Sequence, residues 1–371
     1  MKILIVLHKL KKEGGMVLQH LKMSQQFKKM GCTVKIFSFD DHFNSHNIFF
    51  NYLLVYKKIR KIIKTFDPTI ILTSDPYFST LISLLAKKKS IPVVLRVGAV
   101  FHPFYAARII EKISKKAMYT DLFYFFNYIF KQFDKLILKK SNFIIFNSYF
   151  LSKYYNKFTP HSTVINNGVD KVTQKKPEIN HLLELVYVGR IEPRKSIEVI
   201  LNSLIIAKKS GIKFHFSLIG DTLLFPDYWL KLENIIKCNN LIDDITIYGK
   251  IPNNKILSVL ETKDILLFST DERNFPITEG LPNVILEGMA AGLAIISTSV
   301  AGIPEIINNK NGLLVDSNPI DFAKAIIYFD NNKNSLLEIK EENIKLIKDK
   351  YLIERTSKQY LDIFQKIKKR N

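Results

Sequence analysis

Short, continuous apolar runs separated by helix-length stretches recur along this chain, and the pattern then starts again. The runs at 2–7, 33–39, 69–73, 92–97 and 143–146 lack the polar alternation of a strand with one wet face. They read as strands buried on both sides, as in a parallel sheet. Between them, 16–30 (closed by Gly31), 48–65, 76–89 and the long 104–140 have helical length. Parallel strands joined through helices require right-handed crossovers, so the pattern predicts an α/β doubly wound sheet.

A second set of strands follows at 183–188, 214–219, 244–248, 264–268, 294–297 and 312–315. Helices are expected near 196–210, 227–239, 253–262, 283–291 and 319–330. Two Rossmann-like halves therefore stand in series. The stretch 168–181, GVDKVTQKKPEINH, is polar and without period. The predicted organisation is a domain over 1–168, a linker over 169–180, a domain over 181–350 and a final helical segment over 351–371. In that last segment Leu352, Ile353, Tyr360, Leu361, Ile363, Phe364 and Ile367 recur at helical spacing. Ligands of doubly wound sheets bind beyond the carboxyl ends of the strands, so the cleft between two such domains is the expected site.

Charge separates the halves. The 371 residues carry a formal net charge of +21. Residues 1–175 hold 29 Lys and Arg against 9 Asp and Glu, a net of +20, whereas 176–371 hold 26 against 25, a net of +1. A compositional bias of the genome would act on both halves alike, so the asymmetry asks for an anionic partner of the first half. Single basic runs, such as 57–64 (KKIRKIIK) and 87–89, also read as solvated helix faces. The segment 117–130, AMYTDLFYFFNYIF, is the most aromatic, and Asp121 interrupts it. It is too short for the ~20 apolar residues of a membrane span. Lys112, Lys115 and Lys116 precede it, and Lys131, Lys135, Lys139 and Lys140 follow. Such a pattern suits a helix lying in a membrane interface, with a buried helix pair as the alternative. The first residues, MKILIVLHKLKKEGG, contain no apolar stretch long enough for a signal peptide, and no integral anchor is expected. Cys32 and Cys238 form neither a disulfide framework nor a metal cluster, which suits a reducing cytosol.

Three stretches carry candidate chemistry. After the first strand, Gly14-Gly15 opens a helix, where backbone amides can approach an anion or the glycines merely turn the chain. After the strand at 183–188, Arg190 and Lys195 in GRIEPRKS offer a guanidinium fork and a point charge to phosphate oxygens; alternatively they are two exposed cations beside Glu192. The richest stretch is 264–305. There Glu279 lies in a polar loop, Gly280-Leu281-Pro282-Asn283 makes a turn, and a helix carries Glu287. Asn283 is expected as its N-cap, with the amides of the first turn forming an anion site.

The E-x7-E spacing of Glu279 and Glu287 within EGLPNVILEGMAAG resembles the signature of the retaining GT-B glycosyltransferases, the large GT4-type group (glycosyl transferases group 1). Gly14-Gly15, INNGVD (165–170), VGRIEPRK (188–195), LIGD (218–221) and AGIPEII (301–307) stand in that family's order. The resemblance covers both halves. It implies two facing Rossmann-like domains, a nucleotide-sugar donor on the C-terminal one and an acceptor on the N-terminal one. The C-terminal segment would cross back onto the N-terminal domain. Arg190 and Lys195 would grip the donor diphosphate, Glu279 the donor-sugar hydroxyls and Glu287 the ribose. Amides around Leu281–Val284 would line phosphate and sugar. Many relatives carry a His after the fourth N-terminal strand; here the sequence reads VVLRVGAVFHP, leaving Arg96 or a displaced His102 for that role. His8, after the first strand, is another candidate for the cleft, with a structural histidine as the favoured reading.

The implied reaction moves a hexose or N-acetylhexosamine from a UDP- or GDP-sugar, with retention. No D-x-D pair occurs in the sequence, so no metal cofactor is expected. The basic first half suits an acceptor saccharide on a membrane-associated lipid, as in bacterial capsule, lipopolysaccharide or lipooligosaccharide assembly. A cytoplasmic protein peripheral to the inner face of the membrane is the expectation. A GT-B-fold nucleotide-sugar epimerase is the alternative enzyme. A basic nucleic-acid-binding protein is the alternative of another class, though no helix-turn-helix, RNP or zinc spacing supports it.

Overall fold

The computed structural model describes residues 1–7, 15–38, 48–74, 76–87, 89–101, 121–155, 159, 161–179, 181–271 and 279–370. The chain forms two compact units. The first comprises Met1–Asp170, Ile277–Leu281 and Ile353–Asn371, and the second Lys171–Pro276 and Pro282–Leu352.

In the first unit six strands, β1 (Lys2–Leu7), β2 (Thr33–Ser38), β3 (Ile70–Thr73), β4 (Val93–Val97), β5 (Phe143–Phe146) and β6 (Ser162–Val164), form one parallel sheet in the order β2-β1-β3-β4-β5-β6. Side chains alternate across each strand, so each strand feeds two apolar layers. Ile3, Ile5, Leu7, Leu72, Val94 and Ile145 face α1 (Gly15–Lys29) and the last helix, Ile353–Arg370. Leu4, Val6, Ile71, Val93, Leu95 and Phe146 face the opposite side. There α2 (Ile48–Phe66), α3 (Pro76–Lys87), α4 (Asp121–Lys140) and α5 (Tyr149–Tyr155) pack. Of the helix expected over 104–140, Asp121–Lys140 is seen; 104–120 lies outside the described residues. The strand β6 and the helix α5 were not expected.

The second unit repeats the plan. Strands β7 (Leu183–Val188), β8 (Phe214–Ile219), β9 (Ile245–Gly249), β10 (Ile265–Phe268), β11 (Ala294–Thr298) and β12 (Gly312–Val315) run parallel in the order β12-β11-β10-β7-β8-β9. They are joined by α6 (Ile197–Lys209), α7 (Pro226–Cys238), α8 (Asn253–Leu260), α9 (Asn283–Ala290) and α10 (Pro319–Asn331), followed by α11 (Lys333–Lys350). Both halves are therefore the doubly wound parallel sheets the apolar runs predict. In the second, β7 starts in the middle, β8 and β9 extend to one side, and β10, β11 and β12 to the other. The winding direction reverses between β7 and β10.

Candidate active site

A doubly wound sheet leaves a crevice at its carboxyl edge where the winding reverses, because the two crossover helices leave in opposite directions. In the second unit that point lies between β7 and β10. The loop after β7 carries Arg190 and Lys195, and the segment after β10 leads into α9. Topology thus brings those two motifs to one edge.

Glu192 organises the first loop. Its carboxylate, 8% exposed, accepts from Arg194 Nη2 at 2.8 Å and meets Arg190 Nη1 at 3.0 Å. Arg190 itself is half exposed. A single turn, Pro193–Lys195, follows, with Ser196 in the left-handed region at φ 42°. Lys195 is buried, its Nζ 4.5 Å from the centroid of the Phe268 ring at the end of β10. The Asp271 N–H donates to Arg194 O at 3.0 Å, tying the two loops together. Gly220 permits the packing below: a Cβ there would lie 2.2 Å from Gly189 O. Beyond the loop, Tyr228 Oη accepts from the Ile197 N–H at 2.8 Å and donates to the Glu198 carboxylate, fixing the start of α6. Burial, with the adjacent Glu198, pushes this phenol far above its ordinary value.

The helix α9 departs from expectation at its start. Pro282, not Asn283, holds the N-cap position, and no side chain caps the first turn. Pro282 is extended there (φ −66°, ψ 131°) and lacks a hydroxyl or carboxylate to give. Asn283 becomes the first helical residue, and Val284 follows; both are partly exposed, as is Glu287. Ile285, Leu286, Met289 and Ala290 anchor the opposite face. A Cβ at Gly288 would sit 2.9 Å from Leu266 Cδ2, so the glycine lets the helix lie close on β10.

Glu279 and Gly280 belong to the first unit. Glu279 forms an antiparallel bridge with Ala99, and the Gly280 N–H donates to Gly98 O at 3.2 Å. A Cβ at Gly280 would lie 2.1 Å from Asn147 Oδ1, so the glycine leaves the Asn147 side chain in place. Leu281 is buried. The glutamate is therefore held beyond the carboxyl ends of β4 and β5. Gly15 is the first residue of α1, after β1. Gly14, His8 and His102 lie outside the described residues.

Beneath that edge is a buried polar group that the sequence marks only through Arg96. Arg96 Nε donates to Tyr360 Oη at 3.0 Å, and Nη2 donates to Asn167 Oδ1. Gln19 brackets Gly168, Nε2 donating to its carbonyl at 2.7 Å and Oε1 accepting from its N–H at 3.2 Å. His20 is buried against the same guanidinium; desolvation first, then the charge of Arg96, pushes its imidazole down to about 3. Arg96 thus secures the 165–168 loop and the last helix. Asn147, just after β5, was missed because a polar residue at a strand end carries no pattern of its own; Asn167 and Glu192 stood inside INNGVD and GRIEPRKS but were assigned no role. Among the described residues no group of three or more His, Cys, Asp or Glu could hold a metal ion.

Comparison with known proteins adds a second line. The family description "Glycosyl transferases group 1" matches residues 183–332, and "Glycosyltransferase Family 4" matches 14–172. An uncharacterized glycosyltransferase of Methanocaldococcus jannaschii is 29% identical over 254 residues, 68% of this chain and 62% of that protein. The putative colanic acid biosynthesis glycosyltransferase WcaL of Salmonella typhimurium is 28% identical over 137 residues, 37% of this chain and 33% of that protein. The chain thus spans less than two thirds of the length of either relative. The crystal structure of Anabaena HepE in complex with UDP superposes with a TM-score of 0.76 at 14% identity, covering 99% of this chain and 100% of that one.

Proposed function

The chain belongs to the GT4-type, group 1 glycosyltransferases of GT-B architecture, and from that premise we propose that it transfers a sugar from a nucleotide-sugar donor to a saccharide acceptor. The donor is a UDP- or GDP-activated hexose or N-acetylhexosamine, and the configuration at the anomeric carbon is retained. The acceptor is a saccharide on a membrane-associated lipid, in the assembly of a bacterial surface polysaccharide or lipooligosaccharide. The enzyme works at the inner face of the cytoplasmic membrane without crossing it, the basic first unit meeting anionic lipid. No helix among the described residues is long and apolar enough to span a bilayer.

The observation that carries this reading is the carboxyl edge at the β7–β10 reversal. There a half-exposed Arg190 and a buried Lys195 stand on the loop after β7, and the start of α9 follows β10. A departing diphosphate needs cations and oriented amides in a partly desolvated place, and this edge supplies both. Arg190 and Lys195 neutralise the diphosphate as the glycosidic bond breaks. Gly280 and Pro282 shape the turn, the amides of Leu281, Asn283 and Val284 line phosphate and sugar, and Gly14-Gly15 is the corresponding turn of the first unit. Glu287 receives the ribose hydroxyls, and Glu279 holds the donor-sugar hydroxyls. The leaving phosphate takes the acceptor proton, so attack proceeds on the face the leaving group vacates. With no D-x-D pair in the sequence, the two cations do the work a divalent ion would otherwise do. HepE bound UDP in its crystal structure, and the WcaL name refers to colanic acid biosynthesis; both fit this reading.

The test is a panel of UDP- and GDP-sugars incubated with a lipid extract from the source cells, read by product mass. One donor should yield a glycosylated lipid, and Lys195→Ala should lower kcat/KM for that donor by about 10²–10³-fold. Donor conversion with no acceptor product would move the assignment to an epimerase.

A further inference from the structure

The inner face of α4 is fixed by the core of the first unit. Ile137 and Leu138 pack with Leu95, Phe146 and Leu151, and Tyr155 Oη donates to the buried Asp134 at 3.2 Å. That contact sets the helix's rotation, and so decides which residues must look outward. At ~100° per residue, the outward arc has an apolar centre. Phe125 is 58% exposed, Tyr128 65%, Phe133 49% and Leu136 54%. Lys131, Lys135 and Lys139 recur every four residues along one edge of the same arc. Lys131 and Lys139 are exposed, and Lys135 is partly so. A helix facing water alone has no reason to expose three aromatic side chains on one arc.

The neighbouring helices extend the face. The helices α2, α3 and α4 lie side by side on one side of the sheet, α3 packing against both others. Val55, Ile59 and Ile63 turn α2 inward, which leaves Lys57, Lys58, Arg60, Lys61 and Lys64 exposed. From α3, Leu84 is exposed as well. One helical layer therefore presents an apolar aromatic strip together with two sets of cations.

We infer that the outward face of α4 is a docking surface for an anionic bilayer, the helix lying in the headgroup region with its rings below the phosphates. Phe125, Tyr128, Phe133 and Leu136 enter the boundary of the acyl chains, and the lysines on α4 and α2 meet lipid phosphates. Charge chooses this occupant over a second copy of the chain. Nearly all of the net +21 lies in residues 1–175, so two such faces would repel each other. Charge alone would suit nucleic acid, but the apolar centre of the arc has no complement on a phosphate backbone. The inference rests on the reading of a membrane-associated acceptor and names the surface that reaches it.

Vesicle flotation tests it, with phosphatidylcholine alone and with phosphatidylcholine containing phosphatidylglycerol, at ~0.1 M salt. The full chain should float with the anionic vesicles and stay behind with the neutral ones. Lys131→Gln, Lys135→Gln and Lys139→Gln together should weaken partitioning by roughly 100-fold, about five-fold per charge. Phe125→Ser with Phe133→Ser should abolish flotation while circular dichroism stays unchanged, since both side chains are exposed. Lys231→Gln with Lys237→Gln, exposed lysines of the second unit, should change nothing. Equal flotation of all variants, or of the wild type with both vesicle types, overturns the inference. So does a dimer in sedimentation velocity that the Phe125/Phe133 variant dissolves, which would give the face to a second copy. Glycosyl transfer to a detergent-solubilised acceptor is measured alongside: transfer without flotation sinks the docking surface alone, and flotation without transfer sinks the enzymatic reading alone.

Discussion

Gly280 fixes where Glu279 sits. A Cβ at residue 280 would collide with Asn147 Oδ1 and Leu151 Cδ1, so any other residue must displace both side chains, and the Glu279 backbone stays bridged to Ala99 with glycine there. Because that bridge uses main-chain atoms, Glu279→Ala should leave the bridge and the fold in place. Transfer should nevertheless fall by about 10³-fold, as expected when a group positioned for the transition state is removed. Near-wild-type turnover in a steady-state assay would end the assignment of Glu279. His20 gives a pH prediction. Its imidazole titrates near 3 when folded, against an ordinary ~6.5 in the unfolded chain. Between those values the unfolded chain binds a proton that the folded chain refuses. Stability is therefore unaffected above ~6.5 and falls as pH drops, by up to ~1.4 kcal/mol per pH unit from this residue. Denaturant titrations between pH 7 and 4.5 should show that slope, and His20→Gln should flatten it. At this scale the sequence pointed to Arg190 and Lys195 as charged residues following a strand and to Glu279 and Glu287 through their spacing; Arg190 and Lys195 stand on the loop after β7, and Glu287 stands on α9. The sequence was opaque where function depends on a partner far along the chain. Nothing near Glu279 announces Ala99, and nothing near Arg96 announces Tyr360.

The elements show the same division for a different reason. Strands buried on both faces must be largely apolar, so β1, β5 and β10 could be read directly, almost to the residue. The strand β6 could not, because Ser162–Val164 is short and partly exposed. The helix α11 also escaped notice, its buried stripe of Leu336, Ile339, Asn343 and Ile347 being interrupted by polar residues. Lys340, also buried, gives Nζ to Asp264 Oδ1 at 2.7 Å and Glu178 O at 2.6 Å. Asn343 Nδ2 reaches Leu293 O at 2.7 Å. Tertiary partners make these residues core, and no periodicity can show that. The start of the last helix has its own constraint: a Cβ on Gly168 would lie 2.6 Å from Ile353 Cα, and the Ile353 N–H donates to Val169 O at 2.8 Å. Backbone cannot move aside as a side chain can. Gly168→Ala should therefore cost about 1–3 kcal/mol, visible as a lower midpoint in urea and earlier proteolysis of the C-terminal helix.

At the scale of the whole molecule, the chain's order and its cores disagree, and the disagreement can be measured. The last helix follows the second unit in sequence but gives Ile353, Tyr360, Leu361, Phe364 and Ile367 to the core of the first, alongside Ile3, Ile5 and Phe27. The second unit's core, from Leu183 through Phe329 to Ile339, draws nothing from it. Each large aromatic lost from a core costs about 3–5 kcal/mol, and a domain's whole stability is only ~5–15 kcal/mol. A chain ending at Leu352 should therefore lose the first unit's fold and keep the second's. The single tryptophan makes the two separable, because Trp229 lies on α7 and packs against the second unit's core. Thermal unfolding followed by tryptophan fluorescence should keep its midpoint in the truncated chain. The far-ultraviolet circular dichroism should start lower and lose an earlier transition, since two-unit proteins need not unfold in one step. A fluorescence midpoint that falls together with the dichroism would mean the units share their stability. In that case the last helix would act as a support for the whole chain.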